Sequence, residues 1–220
     1  MCSRRRSRES EKGRAVKGVV GLGLGMLLVW VAAGGCISRG PEESAAELAL
    51  QAAESRISFI GIKNNAIAVP GSFAGLSGGL DAAKRRAWVE VPLGRLLTGD
   101  PERDKNISVH FFNAPDFPTA RFSVESVDGA EELPLVGERV ELVAKGVLEI
   151  HGARVALDVP VRLTREGQQR IRVQSTGPLV LTAEQLGLSE QHEILKAVCG
   201  HKALSAAVPL ELDLVFAAGG

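Results

Sequence analysis

Beyond residue 53, apolar and polar side chains alternate along most of the chain. A period of two is the pattern of strands with one dry and one wet face. Val140, Leu142, Ala144, Leu148 and Ile150 fall on one side, against Arg139, Glu141, Lys145 and Glu149. Val155, Leu157, Val159, Val161 and Leu163 oppose Arg154, Asp158 and Arg162, and Val208, Leu210, Leu212, Leu214 and Phe216 oppose Glu211 and Asp213. Eight segments are predicted as strands: 56–62, 68–81, 87–93, 119–127, 139–151, 153–163, 169–180 and 204–216. One buried face per strand is antiparallel behaviour, since parallel strands are usually apolar on both faces. His151-Gly152 leaves room only for a tight hairpin, and Arg165-Glu166-Gly167 supplies another turn. Long strands with few breaks predict an all-β domain, a single antiparallel eight-stranded barrel whose closure removes exposed edges. Gly71, Gly75, Gly78 and Gly79 lie within one predicted strand, where they permit sharp coiling or a bulge. No helix with a following Lys-Ser/Thr accompanies them, which excludes a phosphate-cradling loop. Short helical segments are expected over residues 100–112 near one mouth and 190–198 before the last strand. Thr182 and Gln185 form a capped turn between them.

One stretch breaks the alternation. RDKNISVHFFNAPDFPTARF, residues 103–122, contains Phe111, Phe112, Phe117 and Phe122 in a chain with only seven Phe. A regular strand would send Phe111 and Phe112 to opposite faces. The segment is therefore read as an irregular connection whose aromatic rings cover a core or a cavity. The inward positions of the predicted strands carry mainly Val, Leu and Ala, which leaves volume inside. Eight strands permit either a filled interior or one small ligand.

The N-terminus changes the setting. Seven basic residues between Arg4 and Lys17 precede an uncharged run from Val19 to Gly35 that ends at Cys36. A basic region, a short apolar core and small residues before a cysteine describe an export signal with a lipoprotein-type processing site. An ordinary signal or an uncleaved anchor is the other reading. The expected organisation is an export signal over 1–35, a lipidated Cys36 with a flexible linker to residue 53, and a barrel over 54–217. All readings place the barrel outside the cytoplasmic membrane. Residues 1–35 take seven of the 26 basic and two of the 26 acidic side chains, leaving 19 against 24 and a net charge of −5. That balance argues against nucleic acid as a partner. Cys2 falls within the signal, so Cys199 has no disulfide partner.

Catalytic chemistry finds little support. His110, His151, His192 and His201 form no compact ligand pair, and Cys199 with His201 lacks further metal ligands or an orienting group. Arg103 and Asp104 are adjacent and do not face each other on a helix, so each has its own task. Either they fix the segment through a cap and nearby carbonyls, or Arg103 or His110 presents a donor to the head of an apolar ligand. No partner for Asp104 as a general acid or base is visible.

Several pieces, taken in order, resemble the YceI-like family. Ser58-Phe59, the run VPGSFAGLSGG from Val69 to Gly79 with Phe73, and Thr98 with Arg103-Asp104 come first. Phe111-Phe112-Asn113-Ala114-Pro115-Asp116-Phe117-Pro118-Thr119-Ala120-Arg121-Phe122 follows, then Gly146-Val147-Leu148-Glu149-Ile150-His151-Gly152. Glu149 stands where the family usually has Thr. The resemblance spans about residues 53–217 and implies a lipocalin-like barrel that encloses an isoprenoid-type lipid or quinone-like amphiphile in the bacterial envelope, with no enzymatic role and no cofactor. The candidate ligand-binding residues are Phe59, Phe73, Arg103, His110, Phe111, Phe112, Phe117, Phe122 and Leu148, with Cys36 as the membrane anchor. The alternative is a structural or stress-related envelope interaction module with a filled barrel and no ligand. A homodimer is left open.

Overall fold

The computed structural model describes residues 47–129 and 131–219. The expected export signal, Cys36 and most of the linker lie outside the described residues. The first strands are β1 (Leu48–Leu50), β2 (Arg56–Lys63), β3 (Ile67–Phe73), β4 (Ser77–Asp81), β5 (Arg86–Pro92) and β6 (Leu96–Leu97). Helix α1 (Pro101–Asn106) then runs into a π-helical turn, Ile107–Phe111. β7 (Thr119–Asp128), β8 (Arg139–Ile150), β9 (Ala153–Gly167), β10 (Arg170–Ser175) and β11 (Leu179–Thr182) follow, then α2 (Ser189–Val198) and β12 (Ala207–Ala217).

The pairing order β1-β4-β5-β7-β8-β9-β10-β12 returns to β1, where Ala49 faces Ala217, so eight antiparallel strands close a ring. The remaining strands prolong members of that ring past local breaks. β2 continues β1 and pairs β12 and β3, while β6 continues β5 and pairs β3. β11 continues β10 beside β12. The expected closed barrel is present, with corrections of detail. The glycine-rich segment 68–81 is two strands, broken where Gly75 takes φ +72°. Residues 169–180 break between β10 and β11. Leu48–Leu50, read as linker, is the strand that completes the ring. Three residues are too few to show an alternation, and only their partners β4 and β12 reveal them.

The longest ladder runs from Ile150↔Ala153 to Arg139↔Thr164, and its two-residue turn places His151 and Gly152 at φ +51° and +76°. Two positive φ values match the twist of the flanking strands. The register sends Val140, Leu142, Leu148, Leu157, Val159, Val161 and Leu163 inward and leaves Glu141–Arg162 and Glu149–Arg154 as ion pairs outside.

An up-and-down barrel has two ends, set by alternate connections. At one, here the helical end, lie residues 64–66, 93–118 with α1 and the π-helical turn, the hairpin 151–152, and 183–206 with α2. Leu93, Ala120, Ile150, Ala183, Leu186 and Leu188 pack there as a buried cluster. At the other, the loop end, lie residues 82–85, the loop 129–138, the turn 168–169 and both ends of the described chain. The expected helices therefore share one end. Asp100 caps α1 by accepting from Glu102 N (3.1 Å) and Arg103 N (3.2 Å), and Pro101 occupies its first turn. Thr182 caps the following turn by accepting from Gln185 N at 3.1 Å.

Candidate functional site

A continuous cavity of about 400 Å³ runs inside the ring. Its wall is built by the inward positions of the alternation: Val89 and Val91 on β5, Phe122 and Val124 on β7, Leu142 and Leu148 on β8, Val159 and Val161 on β9, Leu212 and Leu214 on β12. Apart from Phe122 these side chains are short and branched, so eight strands surround more space than they fill.

Aromatic rings form the inner surface at the helical end. Phe59 on β2 lies 5.4 Å from Phe73 on β3, Phe73 lies 6.1 Å from Phe112, and Phe112 meets Phe111 edge-on at 4.9 Å, centroid to centroid. Such tilted and edge-on contacts suit the ring quadrupoles. Phe59 lies directly across from Gly71, and any Cβ at Gly71 would overlap its ring at 2.3 Å. The ring therefore needs a glycine beneath it. The π-helical turn explains the neighbouring pair Phe111-Phe112. Phe112 N donates to Ile107 O (3.0 Å) across five residues, and successive helical side chains diverge by only about 100°. Both rings can face inward together, which a strand would forbid.

Polar groups are confined to the two ends. Thr182, Ser205 and His192 line the helical end. His192 is 8% exposed and donates Nε2–H to the Leu204 carbonyl at 3.2 Å. Asp81, Arg85, Arg86, Glu131 and Glu132 rim the loop end. Between these limits the lining is hydrocarbon, the surface that holds an elongated apolar molecule by removing it from water.

Of the sequence candidates, Phe59, Phe73, Phe111, Phe112, Phe122 and Leu148 line the cavity. Arg103, His110 and Phe117 do not. Arg103 donates Nε–H to Thr98 Oγ1 (2.8 Å) and a second N–H to Thr98 O (3.1 Å), while Asp104 accepts from Thr98 N (2.9 Å) and from its hydroxyl. The two residues thus fasten α1 to β6 through Thr98. His110 sits on the π-helical turn, half-buried and apart from the cavity lining. Phe117 packs at a tilt against His151, 4.2 Å between centroids.

Sequence reasoning missed the α2 contribution, His192 and Leu195, and the charged rim at the loop end. The rim was within reach. Once eight strands are drawn as a meander, residues 129–138 must emerge opposite residues 93–118.

Among the described residues no three His, Cys, Asp or Glu side chains lie close enough to hold a metal ion. Burial pushes the Cys199 thiol up, against the direction that activates a nucleophile, and burial holds the His201 imidazole down.

Comparison with known proteins agrees with this architecture. The pattern of the YceI-like domain matches residues 48–216. A polyisoprenoid binding domain from Saccharophagus degradans, implicated in plant cell wall breakdown, superposes with TM-score 0.70 at 24% identity, covering 80% of this chain and 99% of that one. Burkholderia cenocepacia BcnA gives 0.57 at 19% identity over 76% and 98%, and the Campylobacter jejuni YCEI protein 0.53 at 15% over 72% and 91%. No curated protein matches the chain.

Proposed function

Because the chain belongs to the YceI-like domain family, we propose that its barrel binds a long apolar isoprenoid-type lipid or quinone-like amphiphile without enzymatic turnover. We place that activity outside the cytoplasmic membrane, with an acylated Cys36 as the tether. The observation that carries the reading is the uninterrupted apolar cavity, lined from the Phe59-Phe73-Phe112-Phe111 chain to Pro134. A filled barrel would have closed that volume with side chains. The ligand class is supported by the Saccharophagus degradans neighbour, a polyisoprenoid binding domain.

Binding by burial predicts broad tolerance of the tail and weak discrimination of the head, because the lining carries no converging donors. The test is an equilibrium titration with decylubiquinone, comparing the natural chain with Ala144→Trp, which fills the lumen beside Val159. Saturable binding that the filled variant loses while keeping its β-sheet circular dichroism is the expected result. Equal binding by both proteins would move the ligand out of the barrel. For the tether, Cys36→Ser should shift the protein from the membrane to the soluble fraction. Retention in the membrane at the mass of the unprocessed chain would instead indicate an uncleaved anchor.

A further inference from the structure

The loop end of the barrel carries an apolar projection for which the binding reading has no use. Leu133, Leu135 and Val136 are 38%, 69% and 47% exposed. They do not dangle. Glu138 N donates to Leu135 O (2.9 Å), Gly137 takes φ +90° between them, and Gly137 N and Arg165 N bond across to Arg165 O and Glu138 O at 2.8 and 3.0 Å. Arg165 also donates to Pro134 O at 3.3 Å. A turn pinned to β9 holds Leu135 and Val136 in water, where leaving costs nothing in chain order and gains apolar burial.

Two observations say what covers it. First, the projection is continuous with the lumen, because Glu131, Glu132, Leu133 and Pro134 of the same loop line the cavity. Second, the chain enters the barrel at this end. β1 starts with Leu48 opposite Leu80, and Glu47 accepts from the Trp88 indole at 3.3 Å. Only ten residues separate Glu47 from Cys36, a span of at most about 40 Å when extended. A chain held in a bilayer at or before Cys36 keeps the loop end within that distance of the lipid. The helical end has exposed Ile67, Leu97, Val109, Ile194 and Val198. None of these lines the cavity, and no chain leaves the described domain there.

We propose that the loop end docks on the phospholipid bilayer, with Leu133, Leu135 and Val136 inserted at the headgroup boundary, and that the ligand passes between membrane and lumen through this mouth. This rests on the lipid-binding reading for the passage of ligand and on the proposed N-terminal tether for bringing the loop end to the membrane. Lys84, Arg85 and Arg86 at this end are offset by Asp81, Asp128, Glu131, Glu132 and Glu138, so there is no cationic excess to seek anionic lipid. Insertion is apolar, and anionic lipid should weaken it mildly at low salt without changing which end inserts.

The test uses the full chain in vesicles of phosphatidylcholine, with and without phosphatidylglycerol, containing lipids brominated on the acyl chain. Trp30 and Trp88 are changed to Phe, and a single Trp is placed by Leu135→Trp or, in a second protein, Val198→Trp. The expected result is strong bromine quenching at position 135, weak quenching at 198, and the same contrast in both lipid mixtures. Quenching at 198 instead, or at neither site, overturns the docking proposal. A blue shift at 135 that grows with protein concentration and ignores bromine also overturns it, in favour of a second copy on this face. Leu133→Ser, Leu135→Ser and Val136→Ser together should slow decylubiquinone transfer between vesicle populations by more than about tenfold, the loss expected when apolar side chains no longer leave water. Decylubiquinone affinity at equilibrium should not change. If quinone never loads while 135 is quenched, the lipid-binding reading fails and the docking stands.

Discussion

The two ends of this barrel are made from the same meander and differ almost entirely in what joins the strands. The helical end spends long connections on α1, the π-helical turn and α2, packing Phe111 and Phe112 against the Leu93, Ile150 and Leu188 cluster while Val109, Ile194 and Val198 stay exposed. The loop end has short turns and one loop that turns Leu135 and Val136 outward. Strand pairing closes the ring without distinguishing the ends. Side-chain direction in the connections tells the two apart, and the proposed docking makes the loop end the mouth and the helical end the floor.

The largest expected effect breaks the feature the ends share. Val159 is 4% exposed within the wall, and Val159→Asp would bury an unpaired carboxylate at a cost of at least about 3 kcal/mol. Urea unfolding would show it, and bound apolar ligand should be lost as well. The next pair sharpens the contrast. Phe73→Ala, which removes the ring bridging Phe59 and Phe112, should destabilise by about 3 kcal/mol. Leu135→Ser at the opposite end should change stability by less than about 0.5 kcal/mol. Similar costs at both ends, measured by the same unfolding curves, would refute the assignment of floor and mouth.

How far these ends were legible in the sequence follows from the same physics. The wall was readable because an alternation along β8 and β9 allows one register, and a one-residue slip would expose Leu157 or Val159. The phenylalanine-rich segment was readable as a covering because its composition violated that alternation. Its π-helical geometry was not, since it depends on a five-residue hydrogen bond that no local propensity announces. β1 was invisible for a related reason, as it is held by β4 and β12 rather than by its own pattern. Arg103 stood out as a candidate donor for a ligand, yet its guanidinium is committed to Thr98. Polar residues near a site and polar residues in it look alike in sequence.

Smaller effects probe the floor alone. Thr98→Val removes the hydroxyl that links Arg103 to Asp104 and should cost about 1 kcal/mol, with faster amide exchange in α1 but not in β9. A smaller change comes with pH. Burial, with Lys63 and Arg103 adding to it, keeps the His201 imidazole below its ordinary value. As pH falls below about 6.5 the unfolded chain takes up this proton before the folded one does. Stability therefore declines with acidification until pH passes the lowered folded value, and His201→Gln should remove that part of the slope in unfolding curves taken between pH 7 and 5.

The most direct measurement is native mass spectrometry of the full chain extracted gently from its own membranes. The account predicts a long-chain isoprenoid-type lipid at one per chain, beyond any N-terminal acyl groups, and its disappearance in Ala144→Trp. Repeated recovery of the polypeptide with nothing inside it would contradict the central claim.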